Sequence, residues 1–196
     1  MVDTWVISDT HFNHKNILNF KDDNGNPVRD FSSVEEMNET MIERWNEVVK
    51  PGDKIYHLGD VYFGHMKWVD ENWTRLKGRK RLIVGNHDHI QIIVKTGMFE
   101  RVKMWHVVDE HNLLFTHVPV SHQTSFHDRV KFGKKPLTNV HGHVHNNLSP
   151  IGRYVNVCVE ATDYRPIHID ELAKLAKIED DETLQSEIRM YYGIFN

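Results

Sequence analysis

Asn86, His87 and Asp88 follow Gly85 directly, at the end of the apolar run Arg81–Val84. An amide, an imidazole and a carboxylate in succession place a metal ligand, a proton carrier and a hydrogen-bond acceptor within three residues. Four other apolar runs stop at comparable groups. Trp5–Ile7 leads to Asp9 and His11, Lys54–Leu58 to Asp60, Leu113–Phe115 to His117, and Thr138–Val140 to His143 and His145. Apart from His87 and Asp88, the set holds two Asp, one Asn and four His. That exceeds the needs of one tetrahedral zinc and suits two metals sharing a carboxylate. Asp-x-His and His-x-His on extended segments put both donors on one side, because strand side chains alternate with period two. No thiolate accompanies them, which favours hard or borderline ions (Mn first, then Fe, Zn or Ni) over a Cys-type structural zinc.

To bring such residues together, the elements carrying them must end side by side, as strands do at the carboxyl rim of an open α/β sheet. The chain reads as alternating strands and helices. Ser33 and Glu36 form a capping box, and Val34, Met37, Met41, Trp45 and Val48 then recur at helical spacing until Pro51-Gly52. Met66–Leu76 reads as a second helix with Trp68, Val69, Trp73 and Leu76 inward, and His89–Thr96 as a short third. From Arg101 the period changes. Val102, Met104, His106 and Val108 alternate, and with Leu113–Phe115 they predict a hairpin or two adjacent antiparallel strands. Tyr154–Val159 reads as the last strand, and Asp170 as the cap of a final helix to about Lys177. The expectation is an α/β fold with two packed mixed sheets flanked by helices. It forms one domain over residues 1–177, followed by a helical tail over 178–196.

Composition narrows the function. The chain of 196 residues carries a formal charge of −4, so no overall basic field draws in nucleic acid. The basic run Lys77–Arg81 reads as a solvated turn before a strand. Cys158 has no second cysteine to pair with and suits a reducing compartment. No run reaches the ~18 apolar residues that would span a membrane, so a cytoplasmic protein is expected.

The series Asp9-Thr10-His11, Gly59-Asp60, Gly85-Asn86-His87-Asp88, His117 and Gly142-His143-Val144-His145 resembles the motif series of calcineurin-like metallophosphoesterases, in the family's order. The region Tyr154–Leu172 also resembles the closing strands of the family's small single-domain members. The resemblance implies one metal held by Asp9, His11 and His145, a second held by Asn86, His117 and His143, and Asp60 bridging them. It implies His87 as general acid, with Asp88 orienting its imidazole. There are departures. Thr116 stands where many members have Gly before the histidine, and Val61-Tyr62-Phe63-Gly64-His65 follows Asp60 where many have a polar partner. Asn13, His14 and His65 are the nearest substitutes for substrate contacts. The loop 118–136 adds His122 and Arg129 in a stretch that turns positive over Arg129–Lys135, which suits an anionic substrate.

The expected activity is therefore dinuclear-metal hydrolysis of a small phosphate ester, nucleotide-like in size, with no membrane partner. A nuclease acting on DNA or RNA is the second reading, disfavoured by the acidic balance. A non-catalytic scaffold of the same fold is the third, disfavoured because His87 and all seven ligand positions are filled.

Overall fold

The computed structural model describes residues 2–121 and 133–176. His122, Arg129 and the expected tail helix lie outside those residues. In the first sheet, β1 (Thr4–Ile7), β2 (Lys54–His57), β3 (Arg79–Ile83) and β4 (Arg101–Lys103) run parallel, and β9 (Ile167–His168) lies antiparallel beside β1. In the second, β5 (His106–Val108) pairs antiparallel with β6 (Leu113–Phe115), while β6, β7 (Thr138–His141) and β8 (Tyr154–Asn156) are parallel. The orders are β4-β3-β2-β1-β9 and β5-β6-β7-β8. The fold is thus α/β with two mixed sheets.

Strand alternation sorts the core into two layers. Val6, Tyr56 and Ile83 face Leu113, Phe115, Val140 and Val155 between the sheets. Their neighbours Ile7, Ile55 and Leu82 point the other way, into Met37, Met41 and Trp45 of α1 (Val34–Val48), Val69 of α2 (Met66–Asn72) and Ile93 of α3 (Ile90–Thr96). The central strands β1, β2 and β3 carry buried apolar residues on both faces, as a sheet covered on both sides requires, while the edge strand β4 does not. A fourth helix, α4 (169–176), puts Ile169, Leu172 and Ala176 against the inter-sheet layer.

Four local details differ from expectation. Arg101–Val108 is not one alternating unit. Residues 101–103 extend the first sheet beside β3, the chain crosses at Met104-Trp105, and 106–108 joins the second sheet as the hairpin partner of β6. Alternation reports which face a side chain takes, but not which strand lies alongside. The capping box is half formed. Ser33 Oγ accepts from the Glu36 N–H at 3.1 Å, a cap worth about 1 kcal/mol, but the Glu36 carboxylate accepts from the Ser32 N–H at 2.8 Å instead of reaching Ser33. Tyr154–Val159 is a regular strand only through Asn156. Asp170 lies inside the first turn of α4, where its negative charge suits the helix N-terminus. No described helix is long and apolar enough to cross a membrane.

Candidate metal centre

The carboxyl ends of β1, β2, β3, β6 and β7 meet along a seam that joins the two sheets. Ser8 donates its N–H to Val157 O (3.0 Å) and accepts from Val159 N–H (3.1 Å), so the end of β1 is stitched to the segment after β8. The N–H of Asp9 donates to Gly59 O and that of His11 to Asp60 O, each at 3.0 Å, and Gly142 N–H donates to His117 O at 2.8 Å. Such close approach leaves no room for side chains. A Cβ on Gly59 would lie 2.5 Å from Gly85 N, and one on Gly142 would strike Ser8 Oγ and Asp9 Oδ2. Asp9, His11, Asp60, His143 and His145 all have positive φ, between 45° and 70°. Left-handed backbone costs a residue with a Cβ roughly 1–2 kcal/mol, and such strain gathers at functional sites.

The seven donors assemble into two trios about one carboxylate. Asp60 Oδ2 lies 3.5 Å from His11 Nε2 and 3.5 Å from His117 Nε2. On one side, Asp9 Oδ1 lies 3.7 Å from His11 Nε2 and 3.9 Å from His145 Nε2. On the other, Asn86 Oδ1 lies 2.8 Å from His117 Nε2 and 2.9 Å from His143 Nδ1. Each aspartate turns one oxygen to the protein and one to this centre. Asp9 Oδ2 accepts from Ser8 Oγ (2.5 Å), His143 N–H (2.9 Å) and Cys158 Sγ (3.3 Å), while Asp60 Oδ1 accepts from His87 N–H (2.9 Å). Cys158 is therefore a buried thiol donor, and burial pushes its pKa up.

Two further residues hold the first trio, and the sequence reading missed both. Glu160 Oε1 lies 2.9 Å from His145 Nδ1, which leaves Nε2 facing Asp9. Arg29, almost wholly buried, donates Nε to Glu160 (2.8 Å) and its two terminal nitrogens to Thr10 O (2.8 Å) and Asp9 O (2.5 Å). A carboxylate behind a histidine fixes the ring and raises its basicity as a ligand. Burial pushes the Glu160 carboxyl up, yet Arg29 and His145 outweigh it and hold it below the ordinary range. Burial works against a protonated His145, but Glu160 and Asp9 raise it. Asp9 is opposed by burial in the same way, and His11, His117, Ser8 and His145 bring it well below the usual carboxylate values. Glu160 repeats the signal that found the others, a carboxylate ending the apolar run Tyr154–Val159. Arg29 has no such signal. In the second trio, His117 Nδ1 meets Leu58 O at 2.7 Å, which fixes the tautomer that offers Nε2.

His87 stands exposed at the mouth of the centre. Its ring faces those of His11 (5.7 Å) and Phe63 (5.6 Å), and no described side chain hydrogen-bonds it. Asp88 does not orient that ring. Its Oδ2 accepts from the N–H groups of Gly85 (2.8 Å) and Asp60 (3.1 Å), and Oδ1 from Val61 (3.0 Å), so both oxygens fasten the β2 end to the β3 end. His14 stacks on Phe63 at 4.1 Å, and burial, with His11 and Arg29 nearby, pushes its pKa down to about 4. Asn13 is committed to structure, donating Nδ2 to Phe63 O (3.3 Å) and its N–H to Asn38 Oδ1 (3.0 Å). His65 precedes α2 and touches no described site residue through a hydrogen bond or ring contact. His57 and His141 are satisfied interior groups. His57 Nε2 meets Thr10 Oγ1 at 2.9 Å, and His141 meets Gly142 O (2.9 Å) and Ser149 Oγ (3.0 Å).

The donor set fits divalent cations. Asp9 Oδ1 and both ring nitrogens of His11 are buried without a hydrogen-bond partner, and each such orphan costs about 1–3 kcal/mol unless something binds it. Asp9, His11 and His145, and likewise Asp9, Asp60 and His117, each present one donor atom within 4.8 Å of one another.

No protein-family model matches the chain. It is 34% identical over 180 residues to the uncharacterized protein MJ1445 of Methanocaldococcus jannaschii, covering 87% of this chain and 89% of that one. The Gene 66 protein of Mycobacterium phage D29 is 26% identical over 170 residues, 76% of this chain and 81% of its own. Among solved structures, a protein of unknown function, AQ665 from Aquifex aeolicus, superposes with a TM-score of 0.68 and 29% identity. That match covers 89% of this chain and all of the other.

Proposed function

The chain belongs to the family of the uncharacterized protein MJ1445, and we propose that it is a calcineurin-like phosphoesterase that uses two divalent metal ions to hydrolyse a small phosphate ester. One observation carries this reading: Asp60 Oδ2 stands 3.5 Å from a nitrogen of each trio, with unpartnered donors of Asp9 and His11 beside it. Asp9, His11 and His145 would hold one ion, Asn86, His117 and His143 the other, and Asp60 both, with Mn first and Fe, Zn or Ni as alternatives. Bound there, two divalent ions supply a more acidic water and positive charge against the phosphate oxygens.

The remaining tasks fall to the chain. His87, exposed beside the centre with no described side chain hydrogen-bonded to its ring, would give an imidazole N–H proton to the leaving oxygen. Its backbone N–H fixes Asp60 Oδ1, which leaves Oδ2 for the centre. Asp88 sets the spacing of the Asp60 and Asn86 loops, and Arg29 with Glu160 sets His145. The Phe63–His14 stack walls one side. The single buried cysteine accords with a reducing, cytoplasmic setting.

The acidic balance of the chain disfavours the nuclease reading, and within its basic run Lys77 and Arg79 are exposed while three side chains have neutral acceptors. Lys80 Nζ donates to Leu76 O (2.6 Å), Lys77 Nζ to Asn46 O (2.9 Å), and Arg81 to Tyr56 Oη (2.8 Å). The test is hydrolysis of bis-p-nitrophenyl phosphate and p-nitrophenyl phosphate with Mn, Fe, Zn or Ni, against chelated protein. Metal-dependent turnover of at least one ester is expected, and no turnover with any ion would sink the reading. His87→Ala should slow an alkyl ester by about a hundredfold and a p-nitrophenyl ester much less, because only the alkoxide needs a proton.

A further inference from the structure

A cleft of about 920 Å³ adjoins the second trio, with Asn86 and His117 among the residues that line it. Met104, Trp105, Leu114 and Leu137 line it, and no Lys, Arg, Asp or Glu among the described residues does. Leu114 lies between Leu113 and Phe115, which face the inter-sheet core, so alternation turns it to the outer side of the second sheet. Met104 and Trp105, at the crossover between the sheets, are 60% and 64% exposed. Single exposed apolar residues are ordinary. Two adjacent ones at the rim of an apolar cleft whose lining includes polar, site-forming residues have the make-up of a ligand pocket.

We propose that this cleft seats an uncharged apolar or aromatic organic group of the substrate, joined to the phosphoryl group at Asn86 and His117. The proposal rests on the phosphoesterase reading and narrows it. Among the described residues no cation lines the cleft, and leaving a second phosphate's charge unpaired against Leu114 and Leu137 carries a desolvation penalty. A ring would instead remove the exposed faces of Trp105 and Met104 from water, and aromatic pairing adds to that burial. The preferred substrates are therefore phosphate esters with one apolar or aryl arm.

The test compares phenyl p-nitrophenyl phosphate with methyl p-nitrophenyl phosphate on the Mn(II)-loaded protein, where leaving group and charge are the same. The phenyl ester should show a kcat/KM at least about tenfold higher, carried by KM, as partial burial of one ring predicts. Trp105→Ala should bring the ratio to within about threefold of unity, since most of that apolar contact is removed. Val94→Ala, an equally exposed residue of α3 outside the cleft, should keep the wild-type ratio. Calorimetric titration with phenylphosphonate and methylphosphonate reads the same preference without turnover. Preferential phenylphosphonate binding that is lost in Trp105→Ala supports the cleft even if no ester is hydrolysed, and in that case only the phosphoesterase reading falls. Turnover or binding that ignores the phenyl ring overturns the cleft. So does a fall in sedimentation mass on Trp105→Ala without a change in ratio, which would give the face to a second copy of the chain.

Discussion

The two halves of the centre are built differently. Asp9 and His11 are buried and His145 partly so, with the Arg29–Glu160 ion pair behind them. Asn86 and His143 are exposed, His117 is held through Nδ1 by a backbone carbonyl and through Nε2 by Asn86, and an apolar cleft opens beside them. One half is fixed by buried charge, and the other opens onto the cleft proposed to seat the organic group of a substrate. The contrast teaches a division of labour. Positioning is concentrated where strain and ion pairing already order the backbone, and the open half is left free for the organic part of a ligand.

The comparison breaks most visibly at Arg29. Replacing it with Met leaves the Glu160 carboxylate buried with His145 as its side-chain partner among the described residues, and the four hydrogen bonds of Arg29 are lost. Arg29→Met is expected to destabilise the fold by about 3–5 kcal/mol, read from urea denaturation. A loss under about 1 kcal/mol would show that the pair does not organise the first half. Asp60→Asn should weaken both ions together, by more than the roughly 10–100-fold typical of an indirect partner. Selective loss of one ion in calorimetry would contradict its shared role.

Glu160→Gln and Asn86→Ala sharpen the contrast from opposite sides. The first should weaken one ion by about 10–100-fold and spare the other, and the second should reverse that pattern. If both variants affect the same ion, the two trios are not separate sites. The smallest effect is a pH dependence in the metal-free protein. The contribution of Glu160, whose folded value is lowered, is present above its ordinary 4.5 and is lost as pH falls through the depressed value. That of His145, whose folded value is raised, is present below its ordinary 6.5 and is lost as pH rises through the raised value. The gap in Tm between wild type and Glu160→Gln should therefore be widest between those two values. A gap that is flat across the range would contradict the pairing.

Much of this candidate centre is legible in the chain, because its donor residues are polar groups that end apolar runs, where a strand would otherwise stop at a plain turn. The two-layer core is legible for the same reason, in pairs such as Val6 with Ile7 and Ile55 with Tyr56. What escapes is whatever depends on distant pairing. Arg29 lies in a polar stretch after Pro27 and meets Glu160 from 131 positions away, so nothing local marks it as buried. Asp88 adjoins His87 in sequence, yet the turn sends its carboxylate to the amides of Asp60, Val61 and Gly85. Arg101–Val108 keeps one alternating pattern while its two ends belong to different sheets.

The central claim is that two cations share Asp60. Crystals grown with Mn(II) and measured at the manganese absorption edge test it most directly. Two anomalous peaks are predicted, one among Asp9, His11 and His145 and one among Asn86, His117 and His143, each in contact with Asp60. A single peak, or peaks that leave Asp60 uncoordinated, would contradict the account.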